Sequence, residues 1–225
     1  MRTYLRPAFS LMLLFTLLTG LAYPLVVTGL CQVLFSAPAN GSLVRGDQGV
    51  IGSRLIGQAF TRPGYFHPRP SAAGAAGYDP TASGGSNLGP TNARLIARVR
   101  TDVTAFRRDN PEFEGPIPAD LLTASGSGLD PDLSPDAALA QVARVAAARG
   151  VDAAQVQRLV LRRVQGRLWG FVGEPRVNVL ELNLALDAAS LGVRASIPGK
   201  PAPLWRREAG KGRPLALGAS PSRRK

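Results

Sequence analysis

The chemistry open to this chain is narrowed first by two residue types. Cys31 is the only cysteine and His67 the only histidine. An intrachain disulfide, a CxxC redox pair and a zinc site of four cysteines, or of two cysteines and two histidines, are therefore excluded. A serine hydrolase would have to use His67, paired with Ser83 or Ser86 and an aspartate. No G-x-S-x-G elbow is present to carry the nucleophile. Asp130-Pro131-Asp132 opens like a calcium loop but lacks the glycine and terminal glutamate of that loop. Cys31 reads as a small apolar filler. No residue is assigned a catalytic or metal-binding role.

Phosphate chemistry is narrowed in the same way. A Walker-type loop needs lysine directly after its glycines, and the first lysine is Lys200. Two loops, Ser83-Gly84-Gly85-Ser86 and Ser125-Gly126-Ser127-Gly128, could still offer backbone N–H groups to an anion. Ser83, Gly84 and Gly85 are accordingly the nucleotide candidates. A tight turn needing positive φ is the reading favoured for such a match.

The elements that would position these residues begin with an apolar segment. From Ala8 to Phe35 there are 28 residues without Asp, Glu, Lys, Arg or His. As a helix the segment spans roughly 42 Å, more than the ~30 Å hydrocarbon core of a bilayer. Arg2 and Arg6 precede it without an acidic partner, which predicts a cytoplasmic start and a translocated remainder. A secretory h-region is only about 7–15 residues, so an uncleaved anchor is expected despite the Ala37-Pro38-Ala39 sequence. Pro24 is expected to kink the span. Gly20 and its small or hydroxylated neighbours would let another membrane helix approach.

The net charge of +12 is concentrated at the other end. From Ala188 onward nine basic residues face one acidic residue, Glu208, among prolines and glycines. That composition predicts a disordered, solvated tail and no nucleic-acid interface. The expected organisation is a short cytoplasmic N-terminus (1–7), a transmembrane helix (8–35), an extracytoplasmic domain (36–187) and the tail (188–225). The fold class is α+β: a single N-terminal transmembrane helix followed by a small mixed α/β domain.

Within that domain the residues from Gly49 to Phe60 read as a strand with bends. A turn-rich stretch from Thr61 to Pro90 follows, and its aromatics and prolines argue that it is ordered against something. Leu95, Ile96, Val99, Val103 and Phe106 share one helical face that ends before Pro111. Ser134 and Pro135 start a helix running through Val142 and Val145 to Gly150. Asp152 caps another that ends at Gly166. Residues 177–187 fit either a strand or a helix, with leucine and alanine favouring helix.

Five segments in order carry a resemblance. They are Gly52-Ser53-x-Leu55-Ile56-Gly57-Gln58, Tyr65-Phe66-x-Pro68-Arg69-Pro70-Ser71, Ser83-Gly84-Gly85-Ser86-Asn87-Leu88, Thr123-Ala124-Ser125-Gly126-Ser127-Gly128-Leu129-Asp130-Pro131 and Gly173-Glu174-Pro175-Arg176-Val177-Asn178-Val179-Leu180. Behind a membrane span, this order resembles the KdpC family, the C subunit of the bacterial Kdp potassium-transporting ATPase. The likeness runs from the span to about Asp187. The family commonly has a histidine after the Asp-Pro pair, where this chain has Asp132, and the basic tail is longer than the family's.

The resemblance implies a single-pass subunit of the inner (plasma) membrane, working in potassium transport. Its partners would be a potassium-conducting channel-like subunit, a P-type ATPase subunit, a small stabilising subunit and membrane lipid. The C subunit would be non-catalytic, hold the assembly together and promote ATP binding by the ATPase subunit. ATP enters only through the resemblance. The expected topology sets the domain away from cytosolic ATP, so that influence would be a coupling through the complex. The partner-contact candidates are Tyr65, Phe66, Pro68, Arg69, Ser83, Asn87 and Asn92 in the loops, with Gly20 and Pro24 in the span. The alternatives are an anchored periplasmic hydrolase using His67, and a secreted binding module released after Ala39.

Overall fold

The structure, a computed structural model, describes residues 2–46 and 49–194. Most of the expected tail, from Ala195 onward, lies outside the described residues. The chain begins as α1 (Arg2–Leu17), a π turn (Leu18–Ala22) and α2 (Tyr23–Leu34). Among the described residues, Thr3–Leu34 is the one helix long and apolar enough to cross a membrane. Its large side chains, such as Phe9, Leu14 and Leu25, are exposed, as a lipid-facing surface requires. The disturbance expected at Pro24 takes the form of the π turn. Pro24 sits in the first turn of α2, and Tyr23 N–H reaches back five residues to Leu18 O. Gly20 lies within that turn, and a Cβ there would meet nothing within 4 Å.

After the short α3 (Ser36–Ala39) comes an antiparallel hairpin of β1 (Leu43–Gly46) and β2 (Gly49–Ser53). The strand expected to run from Gly49 to Phe60 stops at Ser53. Ser53 Oγ donates to Gly41 O at 2.7 Å and accepts Leu55 N–H at 3.1 Å. This local bonding displaces the next ladder step. The pairing strand β1 escapes a sequence reading because Leu43-Val44-Arg45-Gly46 is too short to show a period.

The stretch from residue 54 to Asn92 carries no regular element. It leads into α4 (Ala93–Asp109), where Asn92 Oδ1 accepts Arg94 N–H at 2.8 Å and Arg107 and Arg108 fill the last turn. Leu95, Val99, Val103 and Phe106 are half-buried along one face, as the spacing predicts, whereas Ile96 is exposed.

β3 (Asp132–Leu133) pairs with β4 (Val177–Asn178), and between them lie α5 (Pro135–Leu139), α6 (Val142–Arg149) and α7 (Ala153–Arg163). Ser134 and Asp152 cap as expected, accepting Ala137 N–H and Ala154 N–H, and Gly150 takes a left-handed φ of 63°. The single helix expected from Pro135 to Gly150 is broken. Gln141 N–H bonds Ala138 O, three residues back, and the tightened turn points the Gln141 side chain into the interior. α7 ends at Arg163 rather than Gly166, because Val164 is already extended. Residues 177–187 are strand for two residues and helix thereafter, in α8 (Val179–Arg194). Asn178 makes the switch, its Oδ1 accepting Glu181 N–H at 3.1 Å.

The chain divides into two compact units after Asn183. The core of the first gathers Phe66, Leu133, Ala137, Val145, Val156, Val160, Val177 and Leu182. The second, within the described residues, is the remainder of α8.

Candidate functional site

The start of the irregular stretch, residues 63–67, is held by side chains that reach it from α6, α8 and the α5–α6 turn, far along the chain. Asn183, buried in α8, grips the backbone of Phe66 on both sides: Phe66 N–H donates to its Oδ1 at 2.9 Å, and its Nδ2 donates to Phe66 O at 3.0 Å. Gln141 grips the next residue in the same way, accepting His67 N–H at 2.8 Å and donating to His67 O at 3.1 Å. A buried extended segment has N–H and C=O groups that need partners. Here two amides stand in for a neighbouring strand.

Arg144 completes the clamp. Its guanidinium donates to Pro63 O at 2.6 Å, Tyr65 O at 3.0 Å, Gln141 Oε1 at 2.6 Å and Asn110 Oδ1 at 3.1 Å. Burial pulls the Arg144 guanidinium down to about 10, with Asp109 acting against the shift. His67 Nε2 lies 3.1 Å from Arg62 O and 3.4 Å from Arg144. Burial, and then the Arg144 charge, push the imidazole below its ordinary value, so the clamp favours a neutral ring. Arg149 lies over the Tyr65 ring at 4.7 Å and donates to Gly64 O at 2.5 Å.

A second knot orders the stretch from Arg69 to Ser86. Arg69 pairs with Asp130 at 2.8 Å, and Tyr78 Oη donates to Arg69 O at 2.5 Å. Burial pushes the Tyr78 phenol up to about 12. Ser71 Oγ donates to Gly128 O at 2.6 Å and accepts Tyr78 N–H at 2.7 Å. The two Ser/Gly loops lie against each other: Gly84 N–H donates to Ser127 O at 2.8 Å, and Ser83 Oγ donates to the same oxygen at 3.0 Å. A Cβ on Gly85 would come within 3.0 Å of Gly126 O, and one on Gly128, at φ +68°, within 2.5 Å of Gly84 O. Glycine is needed at Gly128 both for the turn and for this approach.

Two donors that a phosphate would use, Gly84 N–H and Ser83 Oγ, are thus engaged inside the chain. Neither His67 nor Ser83 bonds the other, and a Ser–His pair of the hydrolase kind is not assembled in the hydrogen bonding. Among the described residues no group of His, Cys, Asp or Glu is placed to hold a metal. Asp132 pairs with Arg176 at 3.2 Å and accepts from Asn178 at 3.2 Å. Its carboxyl is raised by burial, with the nearby Arg176 charge acting in the other direction.

The loop candidates fall into two groups. Tyr65 and Phe66 are 4% and 0% exposed; they set the loop from within and do not present a surface. Pro68, Arg69 and Asn92 are half-buried, and Ser83 and Asn87 are exposed, Asn87 at a positive φ of 51°. Arg69 also lines a cleft of about 890 Å³ with Phe113, Pro116, Asp120 and Ser134. Asn92 acts as the α4 cap. Gly20 and Pro24 lie exposed on the membrane helix. The sequence reading missed Gln141, Arg144 and Asn183. The available signal was an amide on an apolar face: Asn183 stands between Leu182 and Leu184, and Gln141 follows Ala137-Ala138-Leu139-Ala140.

Comparison with known proteins places this arrangement. A subunit called "Potassium-transporting ATPase KdpC subunit" from Myxococcus xanthus is 59% identical over 196 residues, covering 83% of this chain and 92% of that protein. One of the same description from Caulobacter vibrioides is 59% identical, covering 84% and 94%. Another from Methylobacterium nodulans is 54% identical, covering 83% and 98%. The family described as KdpC, K+-transporting ATPase c chain, matches residues 5–188, so the span, the clamped loops and the start of α8 all fall within the match, and the chain belongs to that family.

Proposed function

We propose that this chain is a non-catalytic accessory subunit of a high-affinity, ATP-driven potassium uptake complex in the bacterial inner membrane. Its N-terminus would be cytoplasmic, residues 8–35 would cross the bilayer once, and residues 36–187 would form the extracytoplasmic domain. Its partners would be a potassium-conducting channel-like subunit, a P-type ATPase subunit and a small stabilising subunit. The observation that carries the reading is the two-knot ordering of residues 63–86. Most polar groups of both knots bond within the chain, which leaves an ordered irregular surface suited to docking. Arg69, Ser83 and Asn87 would touch a partner, with Tyr65, Phe66, Pro68 and Asn92 holding their backbone in place. Gly20 and Pro24 would face a partner's membrane helix.

Promotion of ATP binding would then be a coupling through the assembly, with no phosphate seated on Ser83, Gly84 or Gly85. The test is purification of the tagged full chain from membranes in mild detergent. Recovery of a P-type ATPase together with a large multi-span subunit is the expected result, and a chain that emerges alone overturns it. Photolabelling of that complex with an azido-ATP should mark the ATPase subunit. Label on the Ser83–Gly85 peptide would overturn the coupling reading.

A further inference from the structure

We propose that the hairpin formed by residues 165–176 is a docking tip whose aromatic end, Trp169 and Phe171, seats in an apolar socket rimmed by acidic side chains on a partner subunit of the same complex. This rests on the accessory-subunit reading above and names a contact that the loop candidates do not include.

Among the described residues, the hairpin carries the most exposed apolar cluster outside the membrane helix. Trp169 is 78% exposed and Phe171 73%, flanked by Leu168 and Val172, both also exposed. Scattered surface apolar residues need no explanation, but four around one turn form a contiguous patch, and such patches mark interaction sites.

The tip is also pre-shaped. Leu168 and Val172 exchange both backbone hydrogen bonds, at 2.9 and 3.0 Å, and Gln165 and Arg176 do the same at 2.8 and 3.0 Å. Arg167 and Glu174 close an ion pair across the hairpin at 2.8 Å. The Trp169 and Phe171 rings lie 6.3 Å apart. Trp169 itself has a φ of +52° and is followed by Gly170 at +83°. Glycine or asparagine takes such a position at lower cost. A tryptophan held there with most of its surface in solvent is strain with no internal return, which points to a function outside the chain.

Charge identifies the occupant. Arg162 and Arg163 end α7 at the foot of the hairpin, Arg167 and Arg176 stand on its two strands, and all four are exposed. Glu174 is the only acidic residue between Ala153 and Leu180. Arg167 and Arg176 are paired with Glu174 and Asp132, and the basic excess rests on Arg162 and Arg163 at the foot. An aromatic tip above a basic foot complements an apolar socket with an acidic rim, and Trp and Arg are the side chains that dominate interface energies. The foot is anchored close to where the chain leaves the membrane helix. Arg176 pairs with Asp132, Asn178 donates to Arg54 O at 3.0 Å, and Arg54 N–H donates to Ser42 O at 3.2 Å. A lipid headgroup layer would also accept basic and aromatic groups. It rewards area and charge, however, and gains nothing from a strained, ion-paired shape, whereas a formed socket does.

The test uses the full complex. A photo-crosslinking amino acid at position 169, activated in membranes, should link this chain to a partner subunit at a peptide carrying apolar and acidic residues. A lipid adduct, or no adduct, overturns the proposal. A paired variant, Trp169→Gly with Phe171→Ser, should leave the complex in detergent roughly tenfold faster than the wild-type chain. Trp169→Gly relieves the positive φ, so the hairpin persists without its anchor, and an unchanged melting temperature confirms this. Dissociation at the wild-type rate overturns the docking tip alone. A wild-type chain that recovers no partner overturns both readings.

Discussion

The clamped loop around Tyr65–His67 and the hairpin at 165–176 are both short irregular segments, yet they are held in opposite ways. In the loop, buried backbone groups are bonded by side chains from α6, α8 and the α5–α6 turn, and aromatic rings point inward. In the hairpin, backbone bonds to backbone, one surface ion pair closes it, and the aromatic rings point outward. The first is part of the core and cannot be altered without unfolding cost. The second is nearly independent of the core.

This contrast can be broken most severely at Gln141. Gln141→Leu orphans His67 N–H, His67 O and one Arg144 donor in the interior. It should lower unfolding stability by about 3–5 kcal/mol, read from thermal unfolding of the full chain in mild detergent. A loss below 1 kcal/mol would mean that water or a shifted backbone replaces the amide. Gly128→Ala comes next. The added methyl meets Gly84 O at a positive φ, and a loss of about 2–4 kcal/mol is expected in the same measurement.

A smaller effect should come from pH. The His67 imidazole titrates below its ordinary value in the fold, so between that value and 6.5 the unfolded chain binds more protons than the native one. Stability attributable to this group is complete above about 6.5. It falls as pH drops through the folded value, and His67→Gln should remove that part of the slope. An identical slope in the variant would place the acid sensitivity elsewhere. The smallest change is expected at the hairpin. Trp169→Gly should stay within about 0.5 kcal/mol of wild type, because the side chain it removes touches little of the chain. A large loss there would erase the distinction between the two regions.

What could be read from the sequence depended on range. The caps at Ser134 and Asp152, the left-handed Gly150 and the face of α4 all follow from residues two to four apart, and a chain encodes those contacts locally. The membrane-length helix is legible because a long uncharged run has few other places to go. Pro24 was legible as a disturbance, but its resolution as a π turn was not, since either a bend or a widened turn accommodates the missing N–H.

By itself, then, the sequence determined the long apolar helix, the caps at Ser134, Asp152 and Gly150, the absence of a cysteine or histidine constellation, and the ordered motifs of the family. Tertiary structure decided the rest. Gln141 and Asn183 meet His67 and Phe66 across 74 and 117 residues, and no local pattern announces such a pairing. The break between α5 and α6 follows from it, because a buried amide reaching its distant partner outweighs one more turn of helix. The hairpin stayed hidden because its two bridges are too short for a period. Its exposed tryptophan could be recognised as exposed only once every other large side chain of the domain had found its place.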